Sequence, residues 1–171
     1  MTRYQAVPSR SKLSLDGRSS IHPIHTSASG LAGYFEAEVS ADGQVDLSQP
    51  AKGHLEIAVD KLKTGNELED LEMRRRLDPQ RYPLVTADIK EFKAAAAAGH
   101  YHIVGDLTLH GVTRQVEGEI VVKRLDDRTI SFVGEQAFDV RDFGLQPPQL
   151  FFLKVDPQVR ATIEAIAERV D

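Results

Sequence analysis

The sequence predicts an all-β fold: an antiparallel sheet curled into a barrel around an apolar interior. Three observations carry that prediction. Hydrophobic and polar residues alternate at a period of two along most of the chain, not at the 3.6 of a helix. Pairs suited to tight reversals, Asp42-Gly43 and His110-Gly111, separate the alternating runs. Glycines 105, 118 and 134 stand inside strand patterns, where a sheet that closes on itself must bend.

The elements follow in order. Gly33, Phe35, Ala37 and Val39 alternate with Tyr34, Glu36 and Glu38, and Val45 and Leu47 resume the pattern after the Asp42-Gly43 turn. Leu55, Ile57 and Val59 alternate with Glu56, Ala58 and Asp60. Asn66 then reads as a helix N-cap with Glu69 as its capping-box partner. Glu67, Glu69 and Asp70 near the start, and Arg74, Arg75 and Arg76 near the end, suit the helix dipole. Asp78-Pro79 stops this helix of about three turns, with Glu72–Arg76 and Asp70–Arg74 expected as i,i+4 pairs. Val85, Ala87 and Ile89 begin another strand, and Ala94 to Gly99 read as a hairpin loop.

The clearest hairpin comes next. Tyr101, Ile103, Gly105, Leu107 and Leu109 form one face of a long strand, and Val112, Val116, Gly118, Ile120 and Val122 form its return. Asp126-Asp127-Arg128 marks a further reversal before Ile130, Phe132 and Gly134. Near the C-terminus, Val159, Ala161, Ile163, Ala165 and Ala167 fit a strand, although Val159, Ile163, Ile166 and Val170 also fall at helical spacing. A strand is favoured because Leu150 to Val155 needs a partner and Asp156-Pro157 makes a turn.

Composition bounds the function. The 171 residues suit a single domain spanning 1–171, and a hydrophobic fraction of 41% is enough for a core. Twenty-one basic against 26 acidic residues leave a net charge of −5, so nucleic acid is not an expected partner. Without cysteine there is no disulfide, thiolate metal site or cysteine nucleophile. No apolar run approaches the ~18 residues of a membrane span. The opening Met1-Thr2-Arg3-Tyr4-Gln5 has no charged-then-apolar leader, so a cytoplasmic location is expected.

Four elements carry a resemblance. Residues 105–116, Gly-Asp-Leu-Thr-Leu-His-Gly-Val-Thr-Arg-Gln-Val, are similar to the G-D-L-T-x-x-G-V-T-x-x-V hairpin of the YceI-like family. Asn66 to Pro83, with its acidic-basic helix and Tyr82-Pro83 step, resembles that family's helical crossover. Gly33-Tyr34-Phe35 matches an early G-x-F, and Asp142-Phe143-Gly144-Leu145 a late D-F-x-apolar element. The order holds over roughly residues 4 to 168. The resemblance implies an extended, lipocalin-like antiparallel barrel of about eight strands with one short helical crossover. It also implies a long isoprenoid or quinone-like ligand in an elongated apolar pore, bound, carried or sequestered without catalysis. The stretch Ser20 to His25 departs from the family pattern.

Phe35, Leu107, Leu109, Phe132, Phe138, Phe143, Phe151 and Phe152 are the large apolar residues expected to line such a pore. Periodicity alone does not separate a hollow barrel from one whose inward residues fill it as a core. The partner expected is an amphiphilic isoprenoid-type lipid, and a homodimer is left open. His22 and His25 share an H-x-x-H spacing, and His100 and His102 a strand face, but solvated or hydrogen-bonding roles are expected over metal ligation, and no cofactor is implied. The Arg74–Arg76 run with Arg81 could hold a phosphate headgroup, against the plainer role of a paired, exposed helix face. Two alternatives stand beside the carrier. An enzyme would place His25 or His110 beside Asp106 inside the barrel. A ligand-free interaction module would have a filled interior.

Overall fold

The computed structural model describes residues 1–146, 149–150 and 153–170. Twelve strands and one α-helix are described: β1 (Arg3–Ala6), β2 (Lys12–Arg18), β3 (Pro23–Ser29), β4 (Ala32–Glu36), β5 (Lys52–Ala58), α1 (Glu67–Leu77), β6 (Leu84–Ala94), β7 (His100–Leu109), β8 (Val112–Arg124), β9 (Thr129–Asp139), β10 (Gln149–Leu150), β11 (Leu153–Lys154) and β12 (Gln158–Val170). The ring runs β1-β4-β5-β6-β7-β8-β9-β12 and closes by pairing β12 with β1, giving an eight-stranded antiparallel barrel.

β12 explains the two extra strands. Its C-terminal residues Ala167–Val170 pair with β1, while Arg160–Glu164 pair with β2. β2 in turn pairs with β3. The strands β2 and β3 thus extend the lines of β1 and β4 towards the opposite end of the barrel. A single bridge, Ser27 to Lys63, ties β3 to the segment after β5. These N-terminal strands carry a weak apolar signal because their inward residues include Gly17, Thr26 and Ala28 alongside Leu13 and Leu15.

The β7–β8 hairpin forms as the alternation predicts, in full register from His100–Val121 to Leu109–Val112. His110 and Gly111 both take positive φ, 53° and 72°, the pair of left-handed residues that a tight hairpin turn requires. Gly105 sits where a side chain would collide: a Cβ there would lie 2.3 Å from the Asp88 carbonyl oxygen, beside the register slip between Ile89 and Glu91. The C-terminal segment is a strand of 13 residues, not a helix, because β9 and β12 pair over eleven positions. The Asp42-Gly43 turn joins only an isolated bridge, Val39 to Val45, and Leu47 lies exposed.

α1 begins where expected. The Asn66 side chain accepts from the Leu68 and Glu69 amides at 3.0 and 3.1 Å. The capping box is not completed, because the Asn66 amide donates to Thr64 Oγ1 instead of to Glu69. Asp70 likewise turns back to accept from the Thr64 amide and hydroxyl, so the expected Asp70–Arg74 pair gives way to this N-terminal knot. Glu72 binds both Arg75 and Arg76. Leu68 and Leu71 point outward and are exposed, although Leu77 is buried.

One end of the barrel is filled. Phe35 and Phe132 stack with centroids 3.6 Å apart, surrounded by buried Tyr4, Tyr101, Ile120 and Ile130. Gly53 leaves room for that stack, since a Cβ on it would meet the Phe35 ring at 2.8 Å. The Tyr101 hydroxyl accepts from the buried Val45 amide at 2.8 Å, so the phenol is satisfied within the core.

Candidate ligand cavity

The other half of the barrel is hollow. A cavity of about 290 Å³ runs between the filled end and the end covered by α1. That volume stands at the lower edge of the ~300–1,000 Å³ typical of small-molecule pockets. On β7 its wall includes Ile103, Gly105, Leu107 and Leu109, a stretch of about 20 Å at roughly 3.3 Å per residue step. The inward faces of β2, β6, β8, β9 and β12 supply Leu15, Ala87, Val116, Phe138 and Ile163.

The hollow exists because side chains are missing, not because large ones surround it. Gly17, Gly105, Gly118 and Gly134 all line it, together with Ala87 and Ala161. Around Gly17 there is open space: a Cβ placed there would meet nothing within 4 Å. Towards the filled end the lining stops at Leu55, Ile89 and Gly134, whose neighbours Gly53 and Phe132 belong to the aromatic stack. At the other end Glu69, Met73, Arg76 and Leu77 from α1 complete the wall.

The sequence-predicted lining residues separate into groups. Leu107, Leu109 and Phe138 line the cavity. Phe35 and Phe132 do not; they are 1% and 3% exposed, stacked on one another in the filled half. Phe143 is buried behind the wall and meets Phe138 edge-on at 5.8 Å. Phe151 and Phe152 lie outside the described residues. The sequence did not point to Gln136 or Thr26, which bring polar groups into the lining. Their inward parity on β9 and β3 was the available signal.

Charge collects at the covered end. Arg76 lines the cavity, while its Nε donates to Glu72 Oε1 at 2.8 Å. Arg75 faces solvent and makes two hydrogen bonds to the same carboxylate. Those bonds, from Arg75 first and Arg76 second, outweigh desolvation and hold the Glu72 carboxyl down at about 2. Of the basic run, then, only Arg76 reaches the interior. Arg81 lies 5.4 Å over the Tyr82 ring. Glu69 also lines the cavity and stands 3.9 Å from His22 Nε2.

Neither His25 nor His110 meets Asp106, although Asp106 is among the residues that line the cavity. His25 Nδ1 meets Asp16 at 2.7 Å on the outer face of β2–β3, with both side chains more than half exposed. His110 in its turn meets the Tyr82 ring edge-on at 4.7 Å, and Asp106 pairs with Lys90. His54 lies between two carboxylates, 2.7 Å from Asp88 and 3.1 Å from Glu56. Burial disfavours its charged form, yet the two carboxylates prevail and raise its pKa. No group of three or more metal-ligating side chains converges among the described residues.

A family model described as the YceI-like domain matches residues 4–167. Among solved structures, BcnA of Burkholderia cenocepacia superposes with a TM-score of 0.77 at 15% identity, covering 94% of this chain and 98% of that one. A polyisoprenoid binding domain from Saccharophagus degradans, implicated in plant cell wall breakdown, gives 0.72 at 17% identity over 98% of both chains. The YceI protein of Campylobacter jejuni gives 0.60 at 17% identity, covering 80% of this chain and 82% of that one. No curated protein matches the chain. The structural likenesses support the lipocalin-like barrel, and at these identities they speak to fold alone.

Proposed function

From the premise that the chain belongs to the YceI-like family, we propose that it binds the apolar part of an isoprenoid amphiphile inside the hollow half of its barrel, without transforming it. The observation that carries this reading is the cavity: predominantly apolar walls enclosed between the packed aromatic half of the barrel and α1. Such walls select by width and length, because burial stabilises by about 0.8 kcal/mol per CH₂ without directional bonds. The polyisoprenoid binding domain of Saccharophagus degradans, similar in fold, supports this ligand class.

The length of the cavity wall sharpens the ligand. With a wall of about 20 Å along β7, it accepts a short chain whole and only part of a long one. A length series tests this. Equilibrium titration with two-, three- and four-unit isoprenoid alcohols is expected to show affinity rising with length and then levelling once the cavity is full. Affinity independent of length overturns the reading.

A further inference from the structure

Among the described residues, Gln136 carries a buried side-chain nitrogen that its surroundings leave without a partner. It lies on the inward face of β9 between Gly134 and Phe138 and lines the cavity. Its amide nitrogen is buried and meets no acceptor. Buried amides without partners are uncommon because they lose hydration and gain nothing in return. Gly118 on β8 is its neighbour: a Cβ at Gly118 would lie 3.4 Å from Gln136 Cβ, in ordinary contact, and 2.8 Å from the Glu135 carbonyl oxygen. The terminal torsion of glutamine is broad and two-fold, so a half-turn exchanges nitrogen and oxygen within one envelope.

Thr26 adds a second polar group on the inward face. Register connects the two, Gln136 with Ala161, Ala161 with Leu15, and Leu15 with Thr26. Thr26 is 6% exposed and lines the cavity. A few polar groups in an otherwise apolar pocket are what orients a ligand.

Resting on the binding function above, we propose that Gln136, aided by Thr26, receives the oxygen-bearing end of the ligand, and that this end is uncharged. The group lies within the barrel instead of at its mouth. Neutrality follows from the surroundings. Gly118, Gly134, Ala161 and Ile163 flank Gln136 with no cation, and Arg76, the cation of the described lining, is on α1 at the covered end and bound to Glu72. The outer faces of β8 and β9 carry Glu117, Glu119 and Glu135. An anion beside Gln136 would lose its hydration and gain no counter-charge. A ketone or quinone carbonyl, or a hydroxyl, would complete the amide at no such cost.

Three probes sharing a two-unit isoprenoid chain test the inference: a benzoquinone bearing the chain, the plain hydrocarbon, and the monophosphate. Calorimetric titration of the wild type should show the quinone bound roughly tenfold more tightly than the hydrocarbon, the effect of one completed hydrogen bond. The phosphate should bind no better than the hydrocarbon. Gln136→Leu should bind the quinone no more tightly than that same variant binds the hydrocarbon. Gln136→Met and Thr26→Val repeat the test with other volumes. A quinone preference that survives Gln136→Leu and Gln136→Met, or tighter binding of the phosphate, overturns the assignment while leaving cavity binding intact. Absence of binding by all three overturns the binding function itself.

Discussion

Single side chains in this barrel reveal where stability and function pull apart. Gln136 has an amide nitrogen buried without a partner, which costs about 1–3 kcal/mol by itself. Gln136→Leu is therefore expected to stabilise the ligand-free protein by about 1 kcal/mol in urea denaturation, and a destabilised variant would contradict the absence of a partner. His54 and Glu72 respond to pH in opposite directions. The folded pKa of His54 is raised above 6.5, so its contribution is present below that value and lost as pH rises through the folded one. Between about pH 5.5 and 8.5 the wild type should lose slightly more Tm than His54→Asn, the difference being small because the ring is partly solvated. Glu72 is lowered from 4.5 to about 2, so its contribution holds above 4.5 and fades as pH falls towards 2. An NMR titration should place its midpoint near 2, and Arg75→Met should move it upward.

At the scale of elements, the strands divide into a half that packs and a half that encloses space. Phe35 is 1% exposed and stacked on Phe132 over Gly53, so Phe35→Ala should cost about 3–5 kcal/mol. Phe138 borders the cavity and has fewer packed neighbours on that side; Phe138→Ala should cost clearly less, and equal losses would contradict the division. Much of this level was legible in the sequence. The dense alternation from Tyr101 to Val122 specified the β7–β8 hairpin, and Asn66 specified the start of α1. The first strands were not legible, because Gly17, Thr26 and Ala28 supply inward positions without an apolar signal. The cavity wall was half legible for a related reason. Bulk drew the choice towards phenylalanines, but large rings such as Phe35 and Phe132 fill space, while glycines 17, 105, 118 and 134 create it.

For the whole molecule, one barrel serves two purposes because closure and hollowness are set by different residues. β12 closes the ring with β1 around the aromatic half, and carries β2 and β3 onward around the cavity. Leu68 and Leu71 on α1, Ile21 before β3 and Leu84 at the start of β6 are exposed apolar residues that belong to neither half of the interior. Gly17 offers a way to test the hollow half without disturbing the filled one, since nothing lies within 4 Å of its missing Cβ. Gly17→Phe would occupy the cavity near α1 while the aromatic stack stays intact. Native mass spectrometry after incubation with a prenylated quinone measures the difference directly. The wild type is expected to carry one lipid per chain, and Gly17→Phe to remain folded and largely empty. An unliganded wild type, or equal loading of both proteins, would contradict lipid binding in the hollow half of the barrel.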